Sequence, residues 1–211
     1  MKLPIQLAAV LVVLGLAGCA ASSILHSWKS PAYHGGPVQK IAVIAVEDRG
    51  LVRQGFENRF VRDLGANGQE AMATHDVLGL QDIKANKDAA AARLREAGAS
   101  SVLIVRLVNQ ATYDRQVRAT RAVYTENITG IDSYYGWYGY FSVAYADMST
   151  VWGSSTQKTY LDTSLYDLKD GQRLWSVLTL TTFNDNSDRL EEVDALVSKV
   201  VAAMQTDGMV R

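Results

Sequence analysis

Between residues 40 and 108 the chain alternates unbroken apolar runs with amphipathic ones. KIAVIAV, Lys40 to Val46, has no polar position after its first residue, the pattern of a strand buried on both faces of a sheet. From Gly50 to Leu64 the positions Val52, Phe56, Phe60 and Leu64 recur four apart, which predicts a helix with one apolar stripe toward that sheet. Arg53 with Glu57 and Arg59 with Asp63 share the same spacing, and they are expected to pair on the outer, solvated face. EAMATHDVL, from Glu70, predicts a short strand and a turn. Asp88 is expected to cap an alanine-rich helix that stops at Gly98, where a residue can take the left-handed conformation a helix end requires. SVLIVRLV, Ser101 to Val108, is the next buried strand.

Beyond Val108 the period shortens to two. Residues 156–168 set Leu161, Thr163 and Leu165 against polar neighbours, Lys169 to Gly171 supplies turn chemistry, and 173–183 returns, so the pair predicts a β-hairpin. In DRLEEVDALVSKVVAAMQ, Leu190, Val193, Leu196, Val197, Val200, Val201 and Met204 form a full helical stripe behind a cap from Asp188 to Glu191. In order these elements read β-α-β-α-β-β-β-α. That order makes an α/β (α+β) fold with a single mixed β-sheet and helices packed on it. There is no internal repeat; DLKDGQRLW has the form of a propeller-blade hairpin, but one copy cannot build a propeller.

The amino-terminal residues carry an address. After Lys2, an apolar run from Ile5 to Leu16 is broken only by Gln6 and Gly15, shorter than the roughly 20 residues a permanent membrane helix needs, and it matches the core of a secretory signal. The run closes on LAGC, Leu16 to Cys19, which resembles the lipobox of bacterial lipoproteins at all four positions. The resemblance implies cleavage before Cys19, a diacylglycerol on its thiol and a fatty acid such as palmitate on the new amino terminus. Ala20 stands where such lipoproteins carry Asp when they stay at the inner membrane, so the implied location is the periplasmic face of a Gram-negative outer membrane. One acyl chain binds marginally, at about 0.8 kcal/mol per buried methylene, whereas several hold stably.

Residues 20–38 are small and polar, punctuated by Pro31, Gly35, Gly36 and Pro37, which is tether composition; Trp28 and Tyr33 are the exceptions, candidates to dock on the domain. The expected organisation is therefore a signal peptide at 1–18, a lipidated amino terminus and tether at 19–38, and a single periplasmic α/β domain at 39–211 with an aromatic and glycine-rich insertion around 131–152.

Composition narrows the chemistry. With 21 basic and 22 acidic residues the chain has no basic excess for nucleic acid, and no nucleic-acid partner is expected. Cys19 is the only cysteine, so a lipidated chain keeps no thiol for disulfides or nucleophilic catalysis. Of three histidines, His26 and His34 lie in the tether and only His75 in the domain, at a strand end where a hydrogen-bonded histidine is the ordinary occupant. No G-x-S-x-G elbow surrounds a serine. Zinc or calcium spacings are absent and no cofactor or metal is expected. Glu47 and Asp48 are the one carboxylate pair worth naming, because they end a central strand where α/β domains place ligands; as an ordinary turn they would sit near the positive end of the following helix.

The stretch SYYGWYGYFSVAY, 133–145, gathers Tyr134, Tyr135, Trp137, Tyr138, Tyr140, Phe141 and Tyr145 between glycines. As a strand it would put large rings on both faces and leave one exposed. Two readings remain open: a Gly/Tyr loop or hairpin packed on its own domain, or a contact surface, since Tyr and Trp favour interfaces. Tyr134, Tyr135, Trp137, Tyr138, Tyr140 and Phe141 are the expected partner-binding residues.

HSWKSPAYHGGPVQKIAVIAV, GLVRQGFENRFVRDL, AGASSVLIVRLV and DLKDGQRLW together resemble a family of proteobacterial lipoproteins known only as a domain of unknown function. The likeness spans most of the mature chain. More distantly, the element order is similar to small α/β domains of envelope lipoproteins, including the periplasmic part of the curli secretion channel and activators of penicillin-binding proteins. These resemblances imply a non-enzymatic lipoprotein that binds or assembles an envelope partner. The alternatives are a module that binds an envelope glycan through the aromatic segment, or a minor hydrolase using His75.

Overall fold

The structure is a computed structural model that describes residues 21–108, 132–147, 158–182 and 189–211; side chains at 21, 132–135, 147, 158–159, 182 and 189–192 lie outside the description. Six strands, β1 (Ala21–Lys29), β2 (Lys40–Val46), β3 (Glu70–Ala73), β4 (Ser101–Val108), β5 (Lys158–Asp167) and β6 (Arg173–Thr182), form one mixed sheet in the order β1-β6-β5-β4-β2-β3. β2 runs parallel to β3 and β4, while β5, β6 and β1 continue the sheet antiparallel. The helices are α1 (Gly50–Ala66), α2 (Leu80–Ala85), α3 (Lys87–Glu96), α4 (Asp132–Asp147) and α5 (Arg189–Thr206). The expected order of eight elements is present, with β1, α2 and α4 added to it. Among the described residues no helix is long and apolar enough to cross a membrane.

Strand β2 is buried along both faces, as its unbroken apolar run predicts, because helices cover both sides of the sheet. On one face Ile41, Val43 and Ala45 pack with Phe56, Phe60 and Leu64 of α1 and Leu196, Val197 and Val200 of α5. On the other, Ala42, Ile44 and Val46 pack with Ile83 of α2, Leu94 of α3 and Phe141 of α4. β5 shows the consequence for a strand that reads as two-faced. Leu161, Thr163 and Leu165 are inward as expected, but the alternate positions Ser164 and Tyr166 are buried too, because α4 covers their side.

Helix starts and stops depart from the sequence reading by small steps. Asn86, not Asp88, caps α3: its side-chain oxygen accepts from the Ala89 amide at 3.0 Å. Gly98 follows with φ +87°, the left-handed stop expected of it. The Asp188 end of the expected α5 cap lies outside the described residues.

Two larger departures matter for function. Ala21–Lys29, read as tether, is an edge strand paired with β6 from Ala21↔Thr182 to Lys29↔Trp175. Its sequence lacks a strand's alternation because an edge strand is recruited by backbone hydrogen bonding, and only a few of its side chains find the domain. Ser22 Oγ meets Thr181 Oγ1 at 2.9 Å, the Trp28 ring lies 4.2 Å from the Arg173 guanidinium, and Ser27 Oγ and Lys29 Nζ donate to Asp207. Tyr33 docks as well, donating to the Gly36 carbonyl at 2.7 Å while its ring packs on the core.

The second departure is the aromatic stretch, which is neither loop nor hairpin but the helix α4. It bends at Gly136, where φ +56° and ψ −165° are open to glycine almost alone, and a Cβ there would stand 2.8 Å from the Gly171 carbonyl oxygen. That close approach lets the Trp137 amide donate to the same carbonyl at 3.2 Å, tying the helix to the hairpin turn. Trp137, Tyr140 and Phe141 are 2, 4 and 0 % exposed, so the glycine serves packing. Phe141→Ala should therefore destabilise the domain by about 3–5 kcal/mol. A urea-unfolding midpoint unchanged from wild type would contradict this burial.

Candidate functional site

The densest polar cluster lies beneath α1. The helix buries Phe56, Phe60 and Leu64 as the spacing predicts, with Val52 half-buried, but its inward face is wider than that stripe and takes in Arg53 and Glu57 as well. The expected solvated pair Arg53 and Glu57 thus points inward. Arg53 Nε donates to Glu57 Oε1 at 2.8 Å with the Glu57 side chain wholly inaccessible. The other expected pair also differs: Arg59 bonds Asp194 of α5 at 2.5 Å.

Glu57 accepts from three elements. Oε1 takes the Ala45 amide of β2 at 3.0 Å as well as Arg53, and Oε2 takes the His75 amide at 2.7 Å and its ring Nδ1 at 2.8 Å. The Thr74 hydroxyl lies 3.0 Å from Oε1 and 2.9 Å from the Val43 carbonyl, with one proton to give, and it accepts from Arg53 Nη2 at 3.0 Å. A second bond from Nη2 reaches the Leu78 carbonyl at 3.0 Å. The arrangement neutralises a buried carboxylate and fixes the turn after β3 against β2 and α1.

His75 is held by this cluster. The carboxylate at Nδ1 requires a proton there, and Nε2 stands 3.3 Å from Asp76 Oδ1. Its hydrogen-bond and ion-pair partners among the described residues are these two carboxylates, whereas a nucleophilic mechanism needs a hydroxyl or thiol at a ring nitrogen.

Glu47 and Asp48 do lie at the carboxyl end of a central strand. β2 connects to β3 on one side through α1 and β3 crosses to β4 on the other through α2 and α3, so the ends of β2 and β4 form the point where an open α/β sheet leaves a crevice. Ala45, Val46, Glu47, Phe56, Val105 and Leu107 line it. The Glu47 carboxylate is buried and engaged by its neighbour: Arg49 donates from its amide at 2.9 Å and Nε at 3.0 Å to Oε1, and from Nη2 at 3.2 Å to Oε2. Asp48 is exposed, and the structure does not bring it into this pair. No group of three or more His, Cys, Asp or Glu residues that could hold a metal occurs among the described residues.

The expected contact residues separate into two sets. Trp137, Tyr140 and Phe141 are core, a correction to their reading as partner-binding, because α4 lays them on the sheet face that β4 and β5 present. Tyr140 lies 5.7 Å from the Tyr166 ring and 4.9 Å from the Arg106 guanidinium. Arg106 donates to Asp162 Oδ2 from Nε at 3.2 Å and Nη2 at 3.1 Å. Burial acts to lower the Arg106 pKa, but Tyr140 and Asp162 outweigh it and the net direction is upward. Tyr138 is half-buried and its hydroxyl donates to the Lys84 carbonyl at 2.8 Å; Tyr145 bonds Gln81. Tyr134 and Tyr135 belong to α4, with their side chains outside the described residues, and Cys19 also lies outside them.

Sequence spacing missed the Glu57 cluster because i,i+4 charge pairs look the same whether they face water or a neighbouring turn. Glu57→Gln should cost about 3–5 kcal/mol, since it leaves Arg53 buried and presents an amide NH2 to a ring of donors. Arg53→Met combined with Glu57→Leu should remain less stable than wild type, because the Ala45 and His75 amides still lose their acceptor. Full recovery in the double variant, measured by urea unfolding, would reduce the cluster to a simple ion pair.

No family model and no curated protein matches the chain. Among solved structures it is similar to the PelC dodecamer from Paraburkholderia phytofirmans, at 14 % identity and a TM-score of 0.48, over 87 % of this chain and 97 % of that one. It is also similar to the lipoprotein GNA1162 from Neisseria meningitidis, at 12 % identity and a TM-score of 0.41, over 81 % of this chain and 96 % of that one. Both are weakly similar folds, and at such values they carry no statement about activity or partners.

Proposed function

We propose that the chain is a non-enzymatic lipoprotein of the bacterial cell envelope, held on the periplasmic face of the outer membrane by lipid on Cys19, with a partner-binding or assembly role. The observation that carries this reading is the LAGC motif at Leu16 to Cys19, which closes an apolar run too short for a permanent membrane helix. Among the described residues the sheet includes Ala21–Lys29, so a chain cut before Cys19 keeps all six described strands. Ala20 favours the outer membrane over the inner one. The non-enzymatic half is supported by the engagement of Glu57, His75, Glu47 and Asp162 with neighbours inside the fold.

Contact with an envelope protein through the aromatic segment then falls to Tyr134, Tyr135 and Tyr138. Trp137, Tyr140 and Phe141 have too little accessible surface to offer a partner.

Cys19→Ser should abolish lipid incorporation and leave an unprocessed or soluble form; labelling with a radioactive fatty acid reads this directly, and wild-type label on the variant would refute the anchor. Wild-type protein should band with outer-membrane markers on a density gradient. Tyr134→Ser combined with Tyr135→Ser should keep the wild-type melting temperature while losing protein cross-links in intact cells. An unchanged cross-linking profile would remove these tyrosines from the contact.

A further inference from the structure

β1 is held differently from the other five strands. Among the described residues it is the one strand that gives no side chain to either apolar cluster of the core, and Ser23, Ile24, Leu25, Ser27 and Lys29 along it are exposed. Its hold is the antiparallel ladder to β6 and a few polar ties. Ser22 Oγ meets Thr181 Oγ1, the Ser22 carbonyl accepts from Lys199, the Trp28 ring lies beside the Arg173 guanidinium, and Ser27 Oγ and Lys29 Nζ donate to Asp207. An element with so little buried apolar surface opens at a lower free energy than the sheet it joins.

A short hinge follows it. The Tyr33 amide donates to the Ser30 carbonyl at 3.0 Å, closing a turn around Pro31 and Ala32. Past this turn the chain is anchored again, by the Tyr33 ring on the core and by the Val38 amide on the Met209 carbonyl at 2.9 Å. Opening at residues 30–32 therefore frees β1 as a unit and leaves the rest of the fold in place. Such short hinges favour the exchange of an identical element between copies.

The edge left behind specifies what can replace β1. Over residues 174–182, β6 has no charged side chain and is built almost wholly of apolar and β-branched residues, an edge that pairs readily with another strand. The strand that fits it in register, from Ala21↔Thr182 to Lys29↔Trp175, is Ala21–Lys29, and a second copy carries the same nine residues.

We propose that two copies of the chain exchange β1, so that Ala21–Lys29 of each pairs with β6 of the other. The exchange is reciprocal, closes on itself as a two-fold pair and repeats the strand contacts of the single chain, with the change confined to the 30–32 hinge. It does not depend on the lipid at Cys19.

Directly paired residues of an antiparallel ladder stand about 4.5–5.5 Å apart at Cα, within reach of a disulfide. One full-length variant carries Ser22→Cys and another Thr181→Cys, and the two are produced in the same cells, purified and oxidised. A disulfide between positions 22 and 181 then forms only across copies; mass spectrometry of the proteolytic fragments locates it and tells position 22 from Cys19. Two comparisons accompany it. Ser22→Cys and Thr181→Cys placed in one chain test that the pair closes when both partners are present. Ser164→Cys and Ser176→Cys, a registered pair of β5 and β6, are placed in separate copies, where the hairpin should keep the two strands together and prevent a bridge between chains.

Exchange predicts a 22–181 bridge between copies that increases with protein concentration, and none at 164–176. Absence of the 22–181 bridge between copies, while the single-chain pair closes, overturns the proposal. So do equal yields at both pairs, which would come from contact between unfolded chains, and bridges from position 22 to position 22, which would come from two β1 edges lying side by side. A pair that fails to close even within one chain would overturn the β1–β6 register and the exchange with it.

Discussion

A carboxylate with no access to water sets the terms for one half of this fold. Glu57 cannot stay ionised in the core unless donors converge on it, and they arrive from β2, from its own helix and from the turn after β3. Each of those elements is thereby fixed relative to the other two. In the parallel part of the sheet this polar centre sits beside the apolar contacts of Phe56, Phe60 and Leu64, and removing one partner would leave an uncompensated charge in the core.

The other half depends on covering a sheet that is apolar on both faces. β2 and β4 expose no polar side to solvent, so helices must be laid on each face, and the face opposite α1 and α5 is closed by α2, α3 and the aromatic helix α4. Large rings suit that task because the surface beneath them is uneven: Tyr140 spans both Tyr166 and the Arg106–Asp162 pair. Gly136 is the condition for it. Only without a side chain can the helix approach the Gly171 carbonyl closely enough to set Trp137 against the hairpin.

Among the described residues, Glu57, His75, Glu47 and Asp162 are engaged with neighbours inside the fold. One end of β5 and β6 carries the charged hairpin turn at Lys169 and Asp170.

Elements with strong periodicity were legible without coordinates: the strands at 40–46 and 101–108, the hairpin through Lys169 to Gly171, the two long helices, and the mixed sheet they build. Local spacing determines these because each buries its own repeating face. What the sequence left open were features that depend on a neighbour remote in the chain. Arg53 and Glu57 read as surface charges until the His75 turn is placed over them, the 21–29 segment reads as tether until β6 offers its edge, and the aromatic stretch reads as contact surface until the second face of the sheet lies under it. Tertiary structure decided these three, because burial and backbone pairing belong to surfaces brought together by folding, and a residue's spacing along its own element carries no record of what will be packed against it.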